Sequence, residues 1–246
     1  MGDRLRLAIT GVAAVGVLGL TVAGPGLWSR LGGASRWEAR VPLAQLKDFS
    51  GIRLEGPDDV IVTSGPAYAV RIDGTPAAAK SLRLSVRRGV LHVSRRGGGW
   101  LGSGGGTTVH VTMPALARVW IAGSSGIRAD KVESRAFSAL VQGAGDLQVK
   151  EIAADEVRLT VQGSGDVSMS GRTNDLRLHV VGSGDVAASD LQARTAVISV
   201  TGSGNVRAHA DDSARVRVTG SGNAHVDGTN RCQIVKTGSG VAECSI

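Results

Sequence analysis

A glycine-centred motif that recurs at nearly constant spacing limits the fold of this 246-residue sequence more than any other feature. Segments such as VQGSGDV, VVGSGDV and VTGSGNV repeat along the second half of the chain, and their first glycines lie 18 to 20 residues apart. A fixed period in this range is typical of a solenoid, in which each repeat forms one turn, or rung. The first glycines are Gly123, Gly143, Gly163, Gly182, Gly202, Gly220 and Gly238.

The residues on both sides of each glycine alternate between apolar and polar. Before Gly163 the apolar positions are Val157, Leu159 and Val161, and after it they are Val167 and Met169. Alternation with a period of two indicates a β-strand with one buried face. Each repeat is therefore predicted to hold two short strands separated by a Gly-Ser-Gly-Asp/Asn corner.

One repeat of about 19 residues cannot close a hydrophobic core alone, so neighbouring rungs have to stack. The predicted fold is all-β: a right-handed parallel β-helix, a single-stranded solenoid with rungs of about 18–20 residues. We expect the β-helical domain to span residues 41–246, with less regular first rungs over 41–120 and the glycine repeats over 121–246. A β-propeller is disfavoured because one blade requires roughly twice this period.

The N-terminus has a different composition from the repeats. Arg4 and Arg6 precede an apolar stretch from Leu7 to about Trp28, which is typical of an export signal. Two interpretations fit residues 1–24: a signal peptide, or an uncleaved anchor in which an apolar helix over residues 7–28 sits in the inner membrane. Residues 25–40 form a predicted linker. Both interpretations place the rest of the chain outside the cytoplasm, in the periplasm or cell envelope of a bacterium.

The corner motif has three chemical interpretations. A phosphate-binding glycine loop is followed by a helix, whereas a strand follows each of these corners, so nucleotide binding is disfavoured. A calcium column would use Asp146, Asp166 and Asp185. The series continues, however, with asparagine and valine, and its period is about twice that of calcium-binding β-roll repeats. We therefore favour structural turns and predict no metal, cofactor or catalytic residue. The turn glycines are Gly143, Gly145, Gly163, Gly165, Gly182, Gly184, Gly202, Gly204, Gly220, Gly222, Gly238 and Gly240.

The net charge of +7 comes from arginines scattered through the strands rather than from one basic block. Arg118, Arg158, Arg177 and Arg215 each lie five residues before a corner glycine, so stacking would align them as a stripe suited to anionic glycans. The competing hypothesis, which we favour, is a solvated face that discourages edge aggregation. We expect no nucleic-acid partner.

The two cysteines lie in the last repeat, six residues before and six residues after Gly238. Both positions point inward in the alternation, so Cys232 and Cys244 should face each other across the core. Export permits oxidation, and we predict a disulfide between them that holds the last rung.

Several segments together resemble a known bacterial family. FSGIRLEGPDDVIVTSGPAYAVRIDG, LRLSVRRGVLHV, VHVTMPALARVWIAGSSGI and the serial GSGDV and GSGNV corners resemble the head GIN domain of auto-transporter adhesins, over about Val41 to Ile246. The resemblance implies an exported β-helical domain and supplies no catalytic residues. Because no membrane-barrel sequence follows Ile246, we expect residence in the periplasm or at an envelope membrane.

Three functions follow from these observations. The leading hypothesis is a non-enzymatic envelope protein, an adhesin-like or scaffold module whose rungs bind a glycan, another envelope protein or a second copy of the chain. The alternative is a carbohydrate-active β-helix enzyme acting on an acidic polysaccharide, which would need a cleft with paired carboxylates. A purely structural spacer is the third. Membrane contact is expected only through the N-terminal segment, and only if that segment is not cleaved.

Overall fold

The computed structural model describes residues 45–95 and 106–246. The predicted signal or anchor segment and the linker over 25–40 lie outside these residues. In the described ranges, no helix is both long enough and apolar enough to cross a membrane. The described elements are β1 (Gly51–Glu55), β2 (Asp59–Ser64), β3 (Ala69–Asp73), α1 (Pro76–Ser81), β4 (Leu82–Arg87), β5 (Val90–Arg95), β6 (Thr108–Met113), β7 (Arg118–Gly123), β8 (Ile127–Ala129), β9 (Val132–Gly143), β10 (Leu147–Gly163), β11 (Val167–Gly182), β12 (Val186–Gly202), β13 (Asn205–Gly220), β14 (Asn223–Asp227), β15 (Cys232–Thr237) and β16 (Ala242–Ser245).

Consecutive repeats pair in parallel and in register, as the sequence predicts. Between β10 and β11, for example, Val157 pairs with Leu176 and the corner glycines Gly163 and Gly182 pair with each other. The same register continues from β9 to β13, and β13 then pairs with both β14 and β15. The chain is thus an all-β solenoid of about six turns. The right-handed sense of its winding stays a prediction.

Each full rung has three faces, where the sequence predicts two. The pre-corner sheet comprises β1, β7, the C-terminal halves of β9–β13, and β15, whereas the post-corner sheet comprises β2, β8, the N-terminal halves of β10–β13, β14 and β16. Between them a third face is formed by residues 132–135, 152–155, 171–174, 191–194 and 209–211. The prediction of two short strands per repeat is wrong here, because β10–β13 run for 16 or 17 residues and bend at the third face without ending.

The predicted inward residues form the core. Val157, Leu159 and Val161 are at most 1% exposed, as are the small residues Ala188 and Ala208 of later rungs. Because every rung contributes to the same continuous column, each rung's apolar side chains are shielded by the rungs above and below.

The N-terminal end departs from the parallel pattern. β3 runs antiparallel to β6, and β4 runs antiparallel to β5. The short helix α1 links β3 to β4, and its first turn is capped by the Thr75 side chain, which accepts the Ala78 N–H at 3.2 Å. Antiparallel strands at this end cover the first parallel rung.

Candidate binding surfaces

The first glycine of a corner meets two requirements: its φ is positive, and the backbone of the neighbouring rung lies close to it. Gly163 has φ of 131°, which residues with a side chain rarely adopt. A Cβ atom at Gly163 would also lie 2.2 Å from the carbonyl oxygen of Gly143 in the rung below. The second glycine, Gly165, has no positive φ, but its Cβ would lie 2.1 Å from the Gly145 carbonyl oxygen. The corners are therefore narrow stacks of backbone on backbone.

An eighth corner, which the repeat pattern in the sequence does not include, lies at Gly56 and precedes the other seven along the chain. Its φ is 120°, and the carbonyl oxygen of Gly56 would lie 3.1 Å from a Cβ atom added at Gly123, so the two corners stack. The second-glycine position is Asp58 in this corner and Ser125 in the next. The Ser125 hydroxyl donates to the Gly56 carbonyl at 2.6 Å. The first two corners therefore accommodate side chains that the later corners exclude.

Asp58 is fully buried at this first corner and joins three segments. Its carboxylate accepts two hydrogen bonds from Arg95, at 2.6 and 2.8 Å, and two from Thr107, from its N–H at 2.8 Å and its hydroxyl at 2.6 Å. Burial would raise the pKa of Asp58, but the hydrogen bonds from Arg95 and Thr107 outweigh it and hold the pKa below its usual value. Asp58 therefore holds the two ends that flank residues 96–105.

The aspartates of the calcium hypothesis form a hydrogen-bond ladder. Asp146 Oδ1 accepts the N–H of Asp166 at 3.1 Å, and Asp166 Oδ1 accepts the N–H of Asp185 at 3.0 Å. Asp185 Oδ1 in turn accepts the N–H of Asn205 at 2.9 Å, and the Asn205 Oδ1 accepts the side-chain amide of Asn223 at 2.8 Å. One carboxylate oxygen of each aspartate thus satisfies a backbone donor of the next rung.

The same ladder explains why asparagine substitutes for aspartate in the later rungs. An amide oxygen accepts an N–H as a carboxylate oxygen does, and Asn223 Oδ1 accepts the Val241 N–H at 2.9 Å. Among residues 45–95 and 106–246, no group of three or more His, Cys, Asp or Glu side chains has a metal-binding arrangement. The calcium column stays an untested hypothesis, and the ladder accounts for these residues without a metal.

The predicted arginine stripe is interrupted. The register places Ser138 between Arg118 and Arg158, and Val197 between Arg177 and Arg215. Only Arg158 and Arg177 are neighbours.

Glu156 neutralises this neighbouring pair in part. Arg158 bonds the Glu156 carboxylate through its Nε at 2.9 Å, and Arg177 contacts the same carboxylate oxygen. Arg215 donates to Gln233 at 3.1 Å. The pre-corner sheet therefore brings two of the four predicted arginines together and leaves both with an acidic partner.

The outward aromatic of the pre-corner sheet is already occupied by protein groups. The Arg53 guanidinium lies 3.6 Å from the centroid of the Trp120 ring, and Trp120 Nε1 donates to Gln142 at 3.0 Å. Gln142 then donates to Gln162 at 2.9 Å in the next rung. Stacked side chains of this kind stabilise neighbouring rungs, and they cover one face of the ring on which a sugar would otherwise stack.

A groove on the third face contains the basic residues that sequence analysis did not select. It is an open depression of about 640 Å³, and its lining includes Arg135, Arg172, Asn174 and Gln192. These residues come from three of the four successive strands β9 to β12, and β10 contributes small residues between them. The short segments that form this face, among them VESR, IAAD and GRTN, share no corner motif. Because no motif repeats there, the spacing of the corner glycines gives no sign that Arg135 and Arg172 line one groove.

The last rung is cross-linked as predicted. Cys232 and Cys244 form a disulfide with a Cα–Cα distance of 6.4 Å, and both pack against the core. His225 contacts Glu243 through Nδ1 at 3.0 Å, which adds a polar contact between β14 and β16, and it contacts Asp227 of its own strand through Nε2 at 2.7 Å.

Together the parallel rungs, the stacked glycine corners and the inter-rung Asp/Asn ladder define a parallel β-solenoid protein. A family model described as "Putative auto-transporter adhesin, head GIN domain" matches residues 48–230. The chain belongs to this family, which confirms the resemblance found in the sequence. No curated protein matches the chain in sequence.

Several solved bacterial structures share the fold. A putative adhesin from Bacteroides fragilis is similar with a TM-score of 0.77 and 20% identity, covering 81% of this chain and 93% of its own. A putative adhesin from Parabacteroides merdae has a TM-score of 0.60 and 17% identity, and the match covers 82% of this chain and 93% of that protein. A putative lipid binding protein from Parabacteroides distasonis has a TM-score of 0.57 and 19% identity, and the match covers 86% of this chain and 95% of that protein. At these identities the likeness concerns the fold.

Proposed function

We propose that this chain is an exported, non-enzymatic envelope protein whose stacked rungs bind an envelope glycan. The observation that carries the proposal is the open surface of about six turns, where parallel register holds outward polar side chains in fixed rows. The shifted pKa values of Asp58, Arg95 and Lys131 arise in ion pairs, and none of these three residues lines the third-face groove.

Membership of an adhesin-type family supports binding as the role, and the neighbours named as adhesins agree with it. The test is retention of the purified full chain on envelope preparations of the producing bacterium. Periodate oxidation of the preparation should abolish retention if a glycan is bound, whereas protease treatment or lipid extraction should not. Retention lost only after lipid extraction would instead favour a lipid ligand, as in the neighbour named for lipid binding.

The enzyme alternative has its own outcome in the same preparations. Incubation with acidic polysaccharides should release no new reducing ends and no unsaturated uronate products. Continuous product release by the pure chain would overturn the proposal in favour of a carbohydrate-active enzyme.

Export is the second part of the proposal. The disulfide and the family support it, because structural disulfides form outside the cytoplasm. Fusion of residues 1–40 to alkaline phosphatase, which requires disulfides for activity, should give an active reporter in a bacterial host. The size of the exported product then distinguishes a cleaved signal peptide from an anchor in the inner membrane. A reporter that stays inactive would contradict export.

A further inference from the structure

The third-face groove is formed by one small residue among longer neighbours. In the outward row of this face, Ala153 pairs with Glu133 on one side and with Arg172 on the other. The methyl group of Ala153 leaves a depression beside the longer Arg172 side chain, and both residues line it. The result is the groove of about 640 Å³ with Ala153 and Ala154 in its lining.

The acidic residues around the groove already have partners. Glu133 bonds Lys131 at 2.7 Å, and Asp211 contacts His209 at 3.0 Å. Asp155 accepts a long hydrogen bond from the Asn174 amide at 3.4 Å. The acidic side chains therefore direct their interactions to groups other than Arg135 and Arg172.

Two guanidinium groups of the groove are available to a ligand. Arg135 and Arg172 are exposed, and among the described residues neither forms an ion pair or a side-chain hydrogen bond. This distinguishes them from Arg158 and Arg177 on the pre-corner sheet, which share the Glu156 carboxylate.

A further polar atom beside the groove lacks a protein partner. The Ser134 hydroxyl is shielded from solvent and has no hydrogen-bond partner in the described chain, and Ser134 belongs to the groove lining. A buried hydroxyl without a partner carries a desolvation cost, which a bound water or ligand group offsets.

We propose that this groove binds an acidic sugar unit of a glycan, with its anionic group held by Arg135 and Arg172. A guanidinium presents several N–H donors in a planar fork that fits the oxygens of a carboxylate or a sulfate. The amides of Asn174 and Gln192 supply donors and acceptors suited to sugar hydroxyls. This inference rests on the proposed function and names its ligand class and its site.

The test compares two double variants that remove the same charge. Arg135→Ala/Arg172→Ala removes the free pair, and Arg158→Ala/Arg177→Ala removes the pair neutralised by Glu156. Binding of the full chain is measured by interferometry on immobilised polygalacturonate, dextran sulfate and neutral dextran, at low and physiological salt. Thermal melting of both variants establishes that they fold.

We expect the wild-type chain to bind polygalacturonate or dextran sulfate but not neutral dextran. The Arg135/Arg172 variant should lose roughly tenfold or more in affinity, since it loses two charge-assisted contacts. The Arg158/Arg177 variant should stay within about twofold. Whether the carboxylated or the sulfated polymer binds more tightly identifies the anionic group.

Three results would overturn the inference. These are equal losses in the two variants, absence of binding to both acidic polymers, and equally tight Arg135-dependent binding to duplex DNA. If the wild-type chain binds neither acidic polymer yet is still retained on envelope preparations in a periodate-sensitive way, this inference fails and the proposed function stands. If retention on the envelope is also absent, the proposed function fails as well.

Discussion

Alanine at Gly163, compared with alanine at Gly56, separates the two roles of a corner glycine. The two residues have similar φ, 131° and 120°. A Cβ atom at Gly163 would lie 2.2 Å from the Gly143 carbonyl oxygen, whereas among the described residues a Cβ atom at Gly56 meets nothing within 4 Å. Gly56→Ala therefore introduces backbone strain alone, of about 1–3 kcal/mol. Gly163→Ala adds a steric cost of about 1–3 kcal/mol, because two backbones have to separate locally.

The expected free energy of unfolding thus falls by about 1–3 kcal/mol in Gly56→Ala and by about 2–6 kcal/mol in Gly163→Ala. Urea titration followed by circular dichroism measures both losses, and hydrogen exchange locates them. Gly163→Ala should reduce amide protection in β9 and β10, because the added Cβ lies against Gly143 at the end of β9. Gly165→Ala is the complementary variant, since it keeps an ordinary φ while its Cβ would lie 2.1 Å from the Gly145 carbonyl oxygen. The stacking argument would be refuted if Gly56→Ala and Gly163→Ala lowered the free energy of unfolding by amounts that agree within about 0.5 kcal/mol.

Three further predictions concern other stabilising groups. Asp58→Asn should cost about 3–5 kcal/mol by breaking a buried ion pair. Because the pKa of Asp58 is lowered in the folded state, its stabilisation is complete above the unfolded value of about 3.9 and is lost as pH falls through the folded value. The melting temperature of the Asp58→Asn variant should therefore fall less on acidification than the melting temperature of the wild-type chain. Reduction of Cys232–Cys244 should lower stability by up to about 3 kcal/mol, measured by urea titration with and without reductant. Asp166→Asn should leave the melting temperature nearly unchanged, with or without calcium or chelator, and a calcium-dependent rise lost in this variant would restore the metal hypothesis.

The regular part of the fold could be predicted because each rung repeats the same physical constraints. Gly163 is required by its positive φ and by backbone contact, and Gly165 is required by backbone contact alone. The inward row beside them has to be apolar. These constraints act again at every turn, so they leave a period in the sequence. The cysteine pairing followed from the same alternation, since both cysteines occupy inward positions.

The first corner could not be predicted by the same means. Gly56 lies 67 residues before Gly123, because the antiparallel strands and α1 are inserted between the two rungs. Its second-glycine position is Asp58, which is buried only because Arg95 and Thr107 satisfy it. Neither partner follows a repeat, so the sequence contains no periodic pattern that would connect them.

The arginine stripe shows a different limit. The alignment correctly placed Arg158 and Arg177 in one outward row, but it compared only equivalent positions of each rung. Glu156 belongs to the neighbouring row, and its carboxylate contacts both arginines. Aligning one row of residues thus predicts where a charged side chain lies. Whether that side chain is free to bind a ligand depends on side chains from adjacent rows and rungs.

The variation in rung length is concentrated at the third face. This face is therefore the part of each rung that can change to fit a ligand. Register shifts occur between Val149 and Ile152, between Ser168 and Gly171, and again in the next rung, while the corner glycines stay paired throughout. Repeats of 18, 19 and 20 residues therefore stack without disturbing the corners. The stacked glycines of the corners are fixed by backbone contact, so they cannot vary to suit a ligand. The third face tolerates changes in both length and side chain. It is also where Arg135 and Arg172 lie, and neither has an ion-pair or side-chain hydrogen-bond partner among the described residues. In solenoids, the face that accommodates insertions is often the binding face.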